Sequence, residues 1–357
     1  MLNYLGVNMK TIDKNAPVLV TGVTGYIASW IVKKLLEDGY TVHGTVRDLA
    51  NNERIAHLLE FSQEAPEKLK LFQADLLHTG DFIAPMKGCQ LVIHTASPFI
   101  IGKINDPYKQ LIDPALKGTE NVLFAADQTE SVKRIVLTSS VASIFSDGID
   151  LQDTVYKIFT EKQWNVTSSP SYQPYHYSKM VAEKRAWEIA RNSGWDMVVV
   201  NPGFVMGPSL TKRNDSASIG FLSSLLNGKY KAGVPNISFG IVDVRDVAKA
   251  HISAGLRYES TGRHILVSAT WSTRELIAYL KSLYGEKYMI PKKILPKWLL
   301  YLVGPFAGFS WKYVYRNVNR PLSFDNTRAI NDLKIHFRPV KDTLKEHVEQ
   351  LIDDKLI

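Results

Sequence analysis

A short apolar strand that runs into a glycine-spaced turn and then an amphipathic helix constrains this chain more than any other feature. Residues 17–23 read PVLVTGV, an apolar run ending in glycine and suited to a buried strand. The following TGYIASWIVKKLLEDGY sets Ile27, Ile31, Leu35 and Leu36 at helical spacing, and Gly39 stands where a helix would stop. Residues 41–46 are a second β-rich run. Strand, helix and strand in about 30 residues make a βαβ unit, which implies a parallel sheet. At the first junction Gly22, Gly25 and Ala28 follow G-x-x-G-x-x-A spacing. Glycines there let the backbone turn tightly against a pyrophosphate, and the helix start offers unpaired N–H groups and a positive dipole end. Gly22, Thr24, Gly25, Tyr26 and Ile27 are therefore expected to bind a dinucleotide.

The alternation continues. Residues 69–73, 91–95, 134–138 and 197–200 read as strands, and 117–127 and 178–192 as helices. Repeated alternation of this kind predicts an α/β fold, a Rossmann-type doubly wound parallel sheet with helices on both faces. After residue 203 the pattern changes. A stretch rich in Gly, Ser, Pro and Asn runs to 240, followed by separate helical and strand fragments at 244–256, 264–267, 273–283 and 340–352. The reading is an N-terminal extension (1–15), a dinucleotide-binding domain (16–203) and a smaller C-terminal substrate lobe (204–357) with segments returning to the sheet.

Composition narrows the partners. Hydrophobic residues at 45% and charged residues at 22% exclude disorder and coiled coil. One cysteine, Cys89, excludes an internal disulfide framework and any multi-cysteine metal site, and suits a reducing, cytoplasmic setting. No metal is expected. The net charge of +8 suits an anionic small ligand, and with no run of five Lys/Arg nucleic acid is not expected. Residues 1–10 lack the pattern of a signal peptide and read as a frayed extension, with Met9 an alternative start. The longest apolar stretch, Trp298 to Trp311, has 14 residues broken by Gly304-Pro305, whereas a spanning helix needs about 20. It reads as a buried or interface helix rather than a membrane contact.

Which dinucleotide is bound is decided at the end of the second strand. NAD-binding folds place Asp or Glu there for the ribose 2′-OH. This chain has Thr45-Val46-Arg47, with Asp48 next as a counter-signal and Arg54 seven residues on. A guanidinium grips a 2′-phosphate that an acid would repel. Arg47 and Arg54 therefore point to NADPH/NADP+. Asp75 is positioned either to accept from the adenine amino group or to cap a helix, with Leu76 packing beside it. Thr95, Ala96 and Ser97 end the next strand with small side chains that let a cofactor lie close.

Tyr175 and Lys179 form Tyr-x-x-x-Lys, two residues on one face of a helix. The ammonium is expected to lower the phenol pKa toward neutrality, which a proton donor needs. Tyr177 has Val181 at the matching position and lacks that charge. A serine on a neighbouring strand end should orient a carbonyl oxygen, and Ser139 and Ser140 both qualify. The strand 198–200 runs into Asn201-Pro202-Gly203, a strand-end crevice.

These residues carry a resemblance. TGVTGYIA at 21–28, ADL at 74–76, HTASP at 94–98, LTSSVAS at 137–143, YHYSK at 175–179, NPGFVMGP at 201–208 and DVRDVAKAH at 243–251 resemble the extended short-chain dehydrogenases/reductases. TVRD at 45–48 and DPALKGTENVL at 113–123 are like the branch of dihydroflavonol reductases, cinnamoyl-CoA reductases and aldehyde (methylglyoxal) reductases. The resemblance covers about residues 16–350. It implies that Tyr175 is the general acid, that Lys179 holds the nicotinamide ribose and lowers the phenol pKa, and that Ser140, with Ser139 as alternative, binds the substrate oxygen. It implies that Pro202, Gly203 and Val205 close on the nicotinamide. Phe99, Tyr172, Phe204 and Met206 are candidates for an apolar substrate wall, whereas Trp164 reads as structural and Asp243, Arg245 and Asp246 as a buried charge cluster. Gln173-Pro-Tyr-His-Tyr departs from the motif of plant cinnamoyl-CoA reductases, which points away from cinnamoyl-CoA. The function implied is NADPH-dependent reduction of a small aldehyde or ketone by a monomer or homodimer. The alternatives are an NAD(P)-dependent sugar epimerase or hydroxysteroid-type dehydrogenase, and a non-catalytic NADP(H)-sensing protein.

Overall fold

The computed structural model describes residues 11–97, 104–212 and 216–357. The chain begins with β1 (Val18–Thr21), α1 (Tyr26–Glu37), β2 (Val42–Val46), α2 (Asn52–Glu64) and β3 (Leu69–Gln73). It continues through α3 (Ile83–Met86), β4 (Leu91–His94), α4 (Asp113–Asp127), β5 (Arg134–Thr138), α5 (Pro174–Ala190) and β6 (Asp196–Pro202). Then follow β7 (Phe204–Met206), α6 (Ala217–Leu226), β8 (Ser238–Asp243), α7 (Val244–Leu256), β9 (Gly262–Leu266), β10 (Ala269–Ser272) and α8 (Thr273–Tyr284). The chain ends with α9 (Lys297–Val303), α10 (Trp311–Asn317), α11 (Thr327–Leu333) and α12 (Val340–Asp353).

Seven strands form one parallel sheet in the order β3-β2-β1-β4-β5-β6-β9. Strand alternation divides its core in two. Val18 and Val20 face a layer that includes Ile31, Leu35, Leu58 and Val247 from α1, α2 and α7. Leu19 faces the opposite layer, with Val122 and Leu123 of α4 and Ala186 and Ile189 of α5. This is the doubly wound arrangement that the βα alternation predicts. The strand order reverses between β1 and β4, which opens a crevice beyond their carboxyl ends.

A second sheet, β10-β8-β7, pairs β7 with β8 in parallel and β8 with β10 antiparallel. Met206 and Ile241 share a separate core with Leu222 of α6, Leu276 and Leu280 of α8, and Leu344 and Val348 of α12. The glycine- and serine-rich stretch thus holds a helix, because Ile219, Leu222, Leu225 and Leu226 recur at helical spacing and are buried.

At 298–311 the Pro-marked break is present, and it is the buried reading of the segment that does not hold. Only Leu300 of α9 is buried there, against Val314 and Val318. Trp298 and Phe306 are 64% and 95% exposed. The stretch is two short helices joined by a Gly-Pro turn, each with one inward face, rather than one buried helix.

Candidate active site

The glycine turn lies at the crevice. Gly22 has φ +68°, and the Gly25 N–H donates to its carbonyl at 2.8 Å. A Cβ at Gly22 would sit 3.0 Å from Cβ of Ala96, so two small residues let the loops after β1 and β4 meet. The Thr21 hydroxyl fastens them, accepting the N–H groups of Thr95 and Ala96 at 3.1 and 3.0 Å. No side chain caps the start of α1, and its first turn carries no acid. Its N–H groups and positive dipole end therefore suit an anion. Thr24 and Tyr26 are partly buried here, and Ile27 packs on the sheet core. The Tyr26 hydroxyl donates to the Gly207 carbonyl and the Trp30 indole to that of Pro208, which ties this helix to the loop after β7.

Arg47 extends from the end of β2 with its side chain 82% exposed and its guanidinium 4.0 Å from the Asp75 carboxylate. The other Asp75 oxygen accepts the Leu77 N–H at 2.8 Å. Asp75 thus holds a turn with one oxygen and faces Arg47 with the other; no helix starts there for it to cap, since the next begins at Ile83. Asp48 accepts the Ala50 N–H at 2.9 Å, so it serves its own turn. Arg54 lies exposed in the first turn of α2, where Asn51 caps its N–H. Leu76 packs on Gly118, where a Cβ would lie 3.1 Å from its own.

Helix α5 begins with Pro174 at its first position, after Gln173 at φ +56°. This start precedes the expected one and brings Tyr175 onto the helix. Tyr175 hydrogen-bonds Ser140, and the Lys179 ammonium donates to the Ser97 hydroxyl at 3.0 Å. The tuning of the phenol differs from expectation. Burial raises the Tyr175 pKa, and Ser140 opposes the rise. Lys179 reaches Ser97 instead, and burial brings its own pKa down to about 8 against the attraction of Glu183.

The two serines separate cleanly. Ser140 accepts the Ala142 N–H at 3.2 Å, donates to the Pro202 carbonyl at 3.4 Å and bonds Tyr175. Ser139 turns the other way and donates to Glu183 at 2.6 Å. Glu183 is a site residue that the sequence does not announce. Its buried carboxylate also accepts from Ser143 at 2.5 Å, Asn201 at 2.9 Å and Arg263 at 2.6 Å. The Arg263 guanidinium stacks 4.0 Å from the Trp164 ring and donates to the Glu161 and Gln163 carbonyls. The one available signal is spacing, since Tyr175, Lys179 and Glu183 repeat every four residues along one face.

The substrate-wall candidates fare unevenly. Phe99 lies outside the described residues. Tyr172 donates to Asp147 at 2.7 Å, with the Lys312 ammonium 3.9 Å from its ring centre; burial and Asp147 raise its pKa. Phe204 is partly buried against Phe221 and Phe239, with ring centres 5.7 and 5.4 Å away. Met206 is fully buried in the lobe core and cannot line a wall. Positions 204 and 206 share one face of β7, and that face points at α6 and α12; Val205 faces the other way, onto the sheet core. Pro202 is buried at the end of β6. A Cβ at Gly203 would lie 2.2 Å from the Gly240 carbonyl oxygen, so crossing backbone alone requires glycine there. Cys89 is buried and its thiol is pushed up to about 12.

A sequence profile described as the NAD dependent epimerase/dehydratase family matches residues 18–268, from β1 through β9. The chain belongs to that family. Within it, a cinnamoyl-CoA reductase of Medicago truncatula is 36% identical over 341 residues, covering 95% of this chain and 96% of that relative. An anthocyanidin reductase of Vitis vinifera, (2S)-flavan-3-ol-forming, is 37% identical over 309 residues, covering 82% of this chain and 90% of its own. The crystal structure of yeast methylglyoxal/isovaleraldehyde reductase complexed with NADPH matches with a TM-score of 0.78 at 28% identity, over 96% of this chain and 100% of that one. The family and its reductase branch are those the motifs resemble.

Proposed function

We propose that the chain reduces an aldehyde or ketone to the alcohol with NADPH. The observation that carries this reading is the set of Ser140, Tyr175 and Lys179, joined by hydrogen bonds to one another or to Ser97 at the crevice. The chain's own groups fit the cofactor. The Gly22 turn, the uncapped α1 start and Thr95 to Ser97 suit a pyrophosphate and its riboses, and Arg47, with Arg54 beyond it, suits a 2′-phosphate. Asp75 beside Arg47 is assigned the adenine amino group, and Pro202, Gly203 and Val205 the nicotinamide end.

When bound, NADPH supplies the hydride. Tyr175 gives its hydroxyl proton to the carbonyl oxygen, and its raised pKa keeps that proton in place at neutral pH. Ser140 donates to the same oxygen as negative charge develops on it. Lys179, charged below about pH 8, holds the ribose hydroxyls and stabilises the phenolate left by proton transfer. Cys89, buried and alone, suits a reducing cytoplasm.

The test is NADPH and NADH oxidation, side by side, against aldehydes, ketones and a dihydroflavonol. NADPH-preferring turnover is expected. Tyr175→Phe should lower it about a hundredfold to ten-thousandfold, with NADPH affinity by calorimetry unchanged. NAD-preferring oxidation would favour the dehydrogenase or epimerase reading, and tight NADPH binding without turnover a sensor.

A further inference from the structure

The segment 287–324 contains seven Lys or Arg and no Asp or Glu. The chain's net charge is +8, so the rest of the molecule is nearly neutral. The same segment carries a run of exposed apolar side chains. Trp298 and Leu302 stand one helical turn apart on α9, 64% and 63% exposed, and Trp311 and Tyr315 one turn apart on α10, 66% and 53% exposed. Between them the turn at 304–307 presents Phe306, which is 95% exposed. Apart from Trp311, these side chains are not what holds the segment down. Leu300, Val314 and Val318 do that from the inner face, with Leu295, Tyr301 and Phe309. The Trp311 indole donates to the Tyr301 carbonyl, locking the two helices together. Arg316 turns inward to Asp147 and Asp150, Lys312 lies over the Tyr172 ring and Lys292 pairs with Glu286 just ahead of the segment at 3.1 Å, whereas Lys287 and Lys293 are exposed in the same stretch.

We propose that this face seats on an anionic phospholipid surface. Phe306 and the two tryptophans enter the headgroup boundary, and the exposed lysines meet the lipid phosphates. Large aromatic and aliphatic side chains rimmed by lysine are the chemistry of an interfacial helix, and basic residues next to an anionic leaflet strengthen its seating. Charge decides against a second copy of this chain, since a two-fold contact would press two such acid-free segments together. Nucleic acid fits poorly, because the tip is aliphatic and aromatic, built on Val303, Pro305 and Ala307, and offers no groove for a backbone. The contact is peripheral: among the described residues no helix is long and apolar enough to cross a membrane.

The experiment sediments the full chain with vesicles of phosphatidylcholine alone and of phosphatidylcholine mixed with phosphatidylserine, and measures its mass in solution without lipid. The expected result is capture by the mixed vesicles, release by salt, and little capture by the neutral ones. Trp298→Ser with Phe306→Ser should weaken capture about tenfold or more, and Lys292→Glu with Lys293→Glu should do the same. Both variants should keep turnover of a water-soluble substrate. Three results overturn the proposal: no capture by either vesicle, equal capture of wild type and both variants, or a two-chain mass in solution that Phe306→Ser reduces to one.

Discussion

Ser139 and Ser140 are neighbours with opposite duties. The sequence alone allows either to orient a substrate oxygen, since both follow β5 at its carboxyl end. The backbone decides between them: Ser140 caps the short turn at 141–143 and faces Tyr175, whereas Ser139 faces Glu183. On the proposed mechanism Ser140→Ala lowers kcat by about a hundredfold to a thousandfold, beside a lost turn cap worth about 0.5–2 kcal/mol. Ser139→Ala touches stability alone. It removes a buried donor from Glu183, costs about 1–3 kcal/mol of stability and spares kcat in the folded fraction. Equal loss of turnover in both would refute the division. Arg47 is tested in the same way. Arg47→Ala should weaken NADPH binding about tenfold to a hundredfold, the worth of a charge-assisted contact, and change NADH binding little. Among the described residues its exposed guanidinium has only the loose Asp75 contact to lose. Equal weakening of both cofactors would remove the 2′-phosphate assignment.

At the scale of elements, α5 is the part of the site that sequence reasoning reads best and least completely. Tyr175 and Lys179 were legible because their spacing carries a chemical meaning. Glu183, one turn further, was not, because a glutamate among KMVAEKRAW reads as a solvated residue. Its burial depends on Arg263 of β9, 80 positions away, and on Ser139, Ser143 and Asn201 beyond β5 and in β6, and no local pattern encodes them. Met206 failed for a related reason, since the parity of a strand is visible but the face that meets a second sheet is not. The first six strands of the large sheet were legible because each is a short apolar or β-rich run; β7, β8 and β10 lie among glycines, serines and threonines whose role is decided by packing. The Glu183–Arg263 pair fixes α5 to β9 beneath the reacting groups. Arg263→Ala leaves a buried carboxylate without its cation and should cost about 3–5 kcal/mol, read as a lower urea midpoint. A loss well under that would mean that Ser139, Ser143 and Asn201 suffice to hold the carboxylate.

For the molecule as a whole, acid is the revealing perturbation, because several histidines are buried as neutral rings from β4 to α12. His94 Nδ1 hydrogen-bonds the Thr21 hydroxyl at 2.9 Å, and burial brings its pKa down to about 3. His251 donates to the Val247 carbonyl and accepts from Thr138, with burial lowering its pKa to about 4. His347 on α12 accepts the Gly207 N–H at 3.0 Å, and burial brings it to about 4. The Gly207 carbonyl receives the Tyr26 hydroxyl, so that ring helps to hold the loop after β7 against the first helix. Each folded pKa lies below the unfolded value of 6.5. The unfolded chain therefore binds more protons than the native one as pH falls, and the stability these rings provide, complete above pH 6.5, drains away toward pH 4. Each ring removes up to about 1.4 kcal/mol per pH unit across that window. Urea unfolding through this range should show a steep loss of stability before the carboxylates titrate. His347→Gln, with a neutral acceptor in place of the ring, should flatten the slope by one proton's worth and lower stability at neutral pH. A pH-independent midpoint from 6.5 to 4 would mean that these rings are solvated in the native state, and that the packing of α12 on the loop after β7 is looser than its hydrogen bonds describe.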